Sequence, residues 1–152
     1  MNKALLDKWI PVAAKAIQEC EIVNENNVVQ AGFRGQISSF GAAVAMGSLL
    51  SAVAAFSDNG SSAVPRANLM KAIFYILKDE FMGNQDGNQD DNQEIEKDSL
   101  YRKILEESQN ASADGKNTPV CNKENVLTAA IAIKLALKLY PCEKDLGDCN
   151  VG

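Results

Sequence analysis

The chain has 152 residues, enough for a single domain with a sizeable core, and 46% of them are hydrophobic. It contains no histidine, which removes the commonest general base and the commonest metal ligand. The net charge of −5 is uneven: residues 79–98 hold eight acids and one lysine, and the remainder holds 14 bases against 12 acids, so a mildly basic body carries one acidic segment.

The pattern predicts a first helix over residues 2–20. Leu5, Leu6, Trp9, Ile10, Val12, Ala13, Ala16 and Ile17 make one broad apolar face, and Lys8 and Lys15, seven apart, share the outer side. Pro11 falls inside this pattern and is read as ending an initial turn or kinking the helix. A polar link over residues 21–27 leads to a second helix. Gln30, Arg34 and Ser38 give its early part a polar stripe at steps of four.

From Gly35 to Ser57 there is no charged residue. Ile37, Phe40, Val44, Leu49, Leu50, Val53 and Phe56 recur there at steps of three and four among Ala, Gly and Ser, a helical period. Gly41 and Gly47 suit either close approach by another backbone or a local kink. These 23 residues exceed the length of a membrane span. Five serines, three glycines and the lack of a flanking basic cluster favour a helix buried in protein instead.

Residues 57–62, SDNGSS, read as a turn, and Pro65 opens a third helix through about Met82. Leu69, Ile73, Ile76 and Leu77 face inward, and Arg66, Lys71 and Lys78 lie on or near an outer face. Gly83 to Gln93, GNQDGNQDDNQ, repeats a GNQD tetrad without an apolar anchor. It predicts a mobile acidic loop at 83–96. A fourth helix over residues 97–109 turns Leu100, Ile104 and Leu105 inward, and a loop over 110–120 follows. Asn122 is the expected N-cap of a last helix reaching Tyr140. That helix is apolar nearly all round apart from Lys134 and Lys138. The residues after Pro141 read as a loose extension. The sum is an all-α compact bundle of about five helices, in one domain over 1–152.

Chemistry-bearing motifs are missing. No nucleophile–base pairing, phosphate-binding glycine loop or EF-hand spacing occurs, so no catalytic residue, cofactor or enzyme activity is expected. Cys20, Cys121, Cys142 and Cys149 show no CxxC spacing, which argues against a metal site. Cys142 and Cys149 could meet in an oxidising setting. The charged first residues lack a signal peptide's apolar core, so the cysteines are expected to be reduced and the protein cytoplasmic. Cys20 reads as a packed small hydrophobe. Lys8, Lys15, Arg34, Lys134 and Lys138 are candidate phosphate contacts as a set, although each taken singly reads better as a solvated surface charge or as a cation with its stem packed along apolar surface.

Two segments carry a resemblance. FRGQISSFGAAVAMGSLLSAVAAFS resembles the central helical motif of the small-subunit family of the type III-B CRISPR (Cmr) effector complex, the fifth Cmr protein. The matching positions are Phe33 and Arg34, Phe40 and Gly41, and Gly47 with Leu49; Ser48 interrupts the last pair. NVLTAAIAIKLALKLY is similar to the family's closing helix, with Lys134 and Lys138 at basic positions. The resemblance implies a non-catalytic subunit of an RNA-guided antiviral defense complex. Copies would stack along a filament beside other Cmr subunits and support the guide and target RNA through basic faces. Two other readings follow from the residues alone: a helical adaptor that binds only protein, and a single-span membrane protein.

Overall fold

The computed structural model describes residues 3–60, 64–82, 100–114 and 121–142. It is all-α: six α-helices, with no strand beyond isolated bridges, among the described residues. They are α1 (Lys3–Glu19), α2 (Phe33–Met46), α3 (Leu49–Phe56), α4 (Ala67–Leu77), α5 (Leu100–Asp114) and α6 (Lys123–Ala136). A π-helical turn, Lys78–Met82, extends α4, and a 3-10 turn, Leu137–Leu139, extends α6.

The last helix is the centre of the bundle. It packs against α1, α2 and α4, which is why its sequence is apolar on nearly every side. Val126, Ala129, Ala130, Ala132, Ile133, Ala136 and Leu137 are all buried. Four of these are alanines, short enough to let neighbouring helices approach closely. The buried Thr128 hydroxyl donates to the Glu124 carbonyl at 2.8 Å, so no polar atom of that side chain is stranded. Asn122 caps the helix as expected, accepting from the Asn125 N–H at 2.8 Å.

α1 packs on α6 through Leu6, Trp9, Ala13, Ala16 and Ile17, and on α4. Leu5, Ile10 and Val12 are half-buried at the border of that face. Pro11 neither ends nor interrupts the helix. It sits on the exposed side, where its missing N–H leaves a carbonyl open to water rather than stranded in the core.

The long second helix is two helices. α2 ends at Met46 and α3 begins at Leu49, with Ser48 as N-cap accepting from the Ser51 N–H at 3.3 Å. Gly47 takes an extended conformation that closes α2 through its own N–H to the Ala43 carbonyl at 3.0 Å. The break lets α3 lie back against α2 and α4 and reach α5. Phe40 of α2 then meets Phe56 of α3 edge-on, ring centroids 5.3 Å apart.

Three further expectations change. The connection after α1 is no polar link, because Ile22, Val23 and Val29 are buried. The Asn24 side chain folds it by accepting from the Asn26 and Val28 N–H groups. α5 runs to Asp114 through part of the expected loop, since a helix once started extends at little cost per residue. Within it Leu100 and Ile104 are buried, whereas Leu105 is half-buried. Cys142 is buried and bridges to Val29, so the chain just beyond Pro141 is anchored. The expected acidic loop at 83–96, most of the 110–120 loop and the tail from 143 lie outside the described residues.

Candidate nucleic-acid interface

The five candidate basic residues separate into two groups. Lys8 and Arg34 are engaged within the fold. The Lys8 ammonium sits 3.0 Å from both carboxylate oxygens of Glu80 in the π-helical turn, an ion pair more exposed at the lysine than at the glutamate. Arg34 is half-buried, and its guanidinium donates to the Tyr140 carbonyl at 3.4 Å.

Lys15, Lys134 and Lys138 are exposed and pair with no described acid. Lys134 and Lys138 stand one turn apart, as their spacing predicts. Tyr140 ties this region together. Its hydroxyl donates to the carbonyl of Ala14, the residue before Lys15, at 3.0 Å, and its carbonyl accepts from Arg34. The 3-10 turn carrying Lys138 packs against α1. The end of α6, the second half of α1 and the start of α2 therefore meet at one place, bringing Lys138, Lys15 and Arg34 to it. Positive charge there also complements the partial negative charge of a helix C-terminus. The chemistry on offer is attraction of phosphate by ammonium groups, without base readout.

Arg66 belongs to the engaged kind too. Its guanidinium donates to the carbonyls of Asp58 (2.8 Å) and Ala55 (2.9 Å) and lies 4.8 Å over the Phe56 ring. It fastens the turn between α3 and α4. Lys71 and Lys78 are exposed, as expected.

Sequence reasoning passed over Glu80 and Tyr140. The signal for Tyr140 was a hydroxyl-bearing ring at the end of an apolar helix, since such a hydroxyl needs a partner when buried. Nothing local pointed to Glu80, which is 72 residues from Lys8 in the chain.

Among the described residues no group of three or more His, Cys, Asp or Glu side chains could hold a metal ion. Cys20 is half-buried, and Cys121 and Cys142 are buried; all three are free thiols. Burial pushes the Cys20 thiol up to about 11, against a lowering by Lys71, and the Cys121 thiol up to about 12, helped by Glu107. Neither has the lowered value of an activated nucleophile. No described helix is long and apolar enough to cross a membrane. No family model, curated protein or solved structure matches the chain.

Proposed function

We propose that the protein is a non-catalytic small subunit of an RNA-guided type III-B CRISPR (Cmr) effector complex. In that role it stacks with its own copies, contacts other Cmr subunits, and supports the guide and target RNA through phosphate contacts. The cytoplasm is the compartment that goes with it, and RNA cleavage falls to a neighbouring subunit. The resemblance of the α2–α3 and α6 segments motivates the reading. The observation that carries it is the set of exposed lysines, Lys15, Lys134 and Lys138, without acidic partners among the described residues.

The test is charge reversal where the fold does not depend on the charge. Lys134→Glu with Lys138→Glu is expected to lower RNA capture by the assembled complex at least tenfold while the helical circular dichroism stays unchanged. Normal capture by a folded double variant removes these lysines as contacts.

One observation favours a second reading, an adaptor that binds only protein. The outer side of α2 and α3 is exposed and carries no charged side chain of its own, with Ser38, Ser39, Ala42, Ala45, Ser51 and Ala54 on it and Met46 89% exposed; Lys123 of α6 reaches its edge at the Ala45 carbonyl. Ultraviolet crosslinking of the assembled complex to labelled RNA separates the two. An adduct on this chain supports the subunit reading, and no adduct supports the adaptor.

A further inference from the structure

The turn Lys78–Met82 leaves α4 with a widened, π-helical pitch, a geometry that concentrates at functional positions. Two adjacent contacts fasten it to α1. Lys8 pairs with Glu80 at 3.0 Å, and one residue along on each side Phe81 meets Trp9 edge-on, ring centroids 6.1 Å apart. Trp9 is fully buried, yet its indole N–H has no acceptor among the described residues. Phe81 is still 44% exposed. The turn thus lies against a tryptophan whose buried N–H has no acceptor among the described residues, and the ring it sets against that indole is itself only partly sheltered. An exposed ion pair is the other fastening, and such pairs are weak and sensitive to ionic surroundings.

We propose that Lys78–Met82 is a releasable strap over Trp9, latched by the Lys8–Glu80 pair, and that phosphate drawing Lys8 away from Glu80 opens it. Glu80 then acts as an internal competitor that withholds Lys8 until a phosphate chain replaces it. That Lys8 meets phosphate rests on the function proposed above; the strap and its latch do not.

Trp9 is the only tryptophan in the chain, so its quenching by acrylamide reads the strap directly. In the full chain, Glu80→Gln is expected to raise the quenching constant about twofold, as loss of a weak ion pair shifts the open population by up to about fivefold. Far-ultraviolet circular dichroism should be unchanged. Equal quenching in a folded Glu80→Gln protein overturns the strap. If that variant loses helix, unmodified protein in about 1 M NaCl, where the screening length is about 3 Å, decides the matter. A rise in quenching there supports the latch, and no rise overturns it. Long-chain inorganic polyphosphate at low salt tests release, since it carries no bases to quench the indole. A rise in the unmodified chain supports release by phosphate. No rise, with Glu80→Gln already open, overturns release and leaves the strap standing. RNA capture is read separately in the Lys134 and Lys138 variants, so failure of the strap and failure of the RNA reading are distinguishable.

Discussion

Arg34 is the one charged side chain in a long uncharged run, and its guanidinium faces a carbonyl 106 residues away in the chain. A hydrogen bond from a charged donor contributes about 1.5–3 kcal/mol when well formed. At 3.4 Å this one belongs at the lower end. Arg34→Ala is therefore expected to lower stability by about 1–2 kcal/mol, read as a lower denaturation midpoint. Lys15→Ala, at an exposed site with no ion pair to a described residue, should shift it by less than about 0.5 kcal/mol. The isolation of Arg34 was legible in the sequence, but its task was not. A lone cation among apolar residues fits a phosphate contact as well as a backbone one, and only the return of the last helix to α2 decides between them. The buried thiols add a pH dependence. Folding raises Cys20 from 9.0 to about 11 and Cys121 from 9.0 to about 12, chiefly by burial, so the folded state holds these protons more tightly than the unfolded state. Their contribution is fully present below pH 9 and is lost as pH rises through the folded values. Melting temperature is expected to fall above about pH 9, and the fall should be shallower in a Cys20→Ala, Cys121→Ala protein.

At the scale of elements, the helical period located the helical segments, but as five helices where the structure has six among the described residues. What the period missed was the interruption at Gly47 and Ser48. Apolar residues continue at helical steps through that point, so periodicity alone joins α2 to α3. The local chemistry says otherwise, since a serine after a glycine is a good start for a new helix, and Ser48 does cap Ser51. The two glycines of this region have opposite roles. A methyl group on Gly41 would meet nothing within 4 Å. One on Gly47 would lie 3.1 Å from the Ala43 carbonyl oxygen, where the chain leaves α2. Gly41→Ala is therefore expected to stabilise the protein by about 0.5–1 kcal/mol, as alanine is the better helix former. Gly47→Ala is expected to destabilise it by about 1 kcal/mol or more through crowding at the break. Chemical denaturation of the two variants side by side checks both signs. Equal effects would mean that the α2–α3 corner is not held by Gly47.

The whole molecule places its charge where the core cannot use it. α6 is enclosed by α1, α2 and α4, and what reaches water is its first turn with Lys123 and Glu124, its edge with Lys134 and the turn with Lys138 and Leu139. The central helix therefore serves two ends at once: its alanines set the close packing, and Lys134, with Lys138 in the turn that extends it and Lys15 on α1, supplies the exposed cations of the candidate interface. The sequence made these lysines visible as interruptions of an apolar run. It did not show that Lys8 is held by Glu80, because that contact depends on how α4 lies across α1. The distinction sets a number. Each phosphate neutralised on single-stranded RNA contributes about −0.7 to the slope of log affinity against log salt. Three available lysines give a slope of about −2 for the isolated chain while Lys8 stays on Glu80, and about −2.8 once phosphate has drawn Lys8 away, with weak binding in either case. If all five basic candidates touched phosphate, the slope would approach about −3.5. Lys134→Gln with Lys138→Gln should make it shallower by about 1.4, while Lys8→Gln, which removes Lys8 as a contact, should give a slope near about −2. Fluorescence anisotropy of a labelled oligonucleotide across a salt series measures all three. A slope near zero for the unmodified chain would assign the exposed lysines to solvent and the molecule to protein contacts alone.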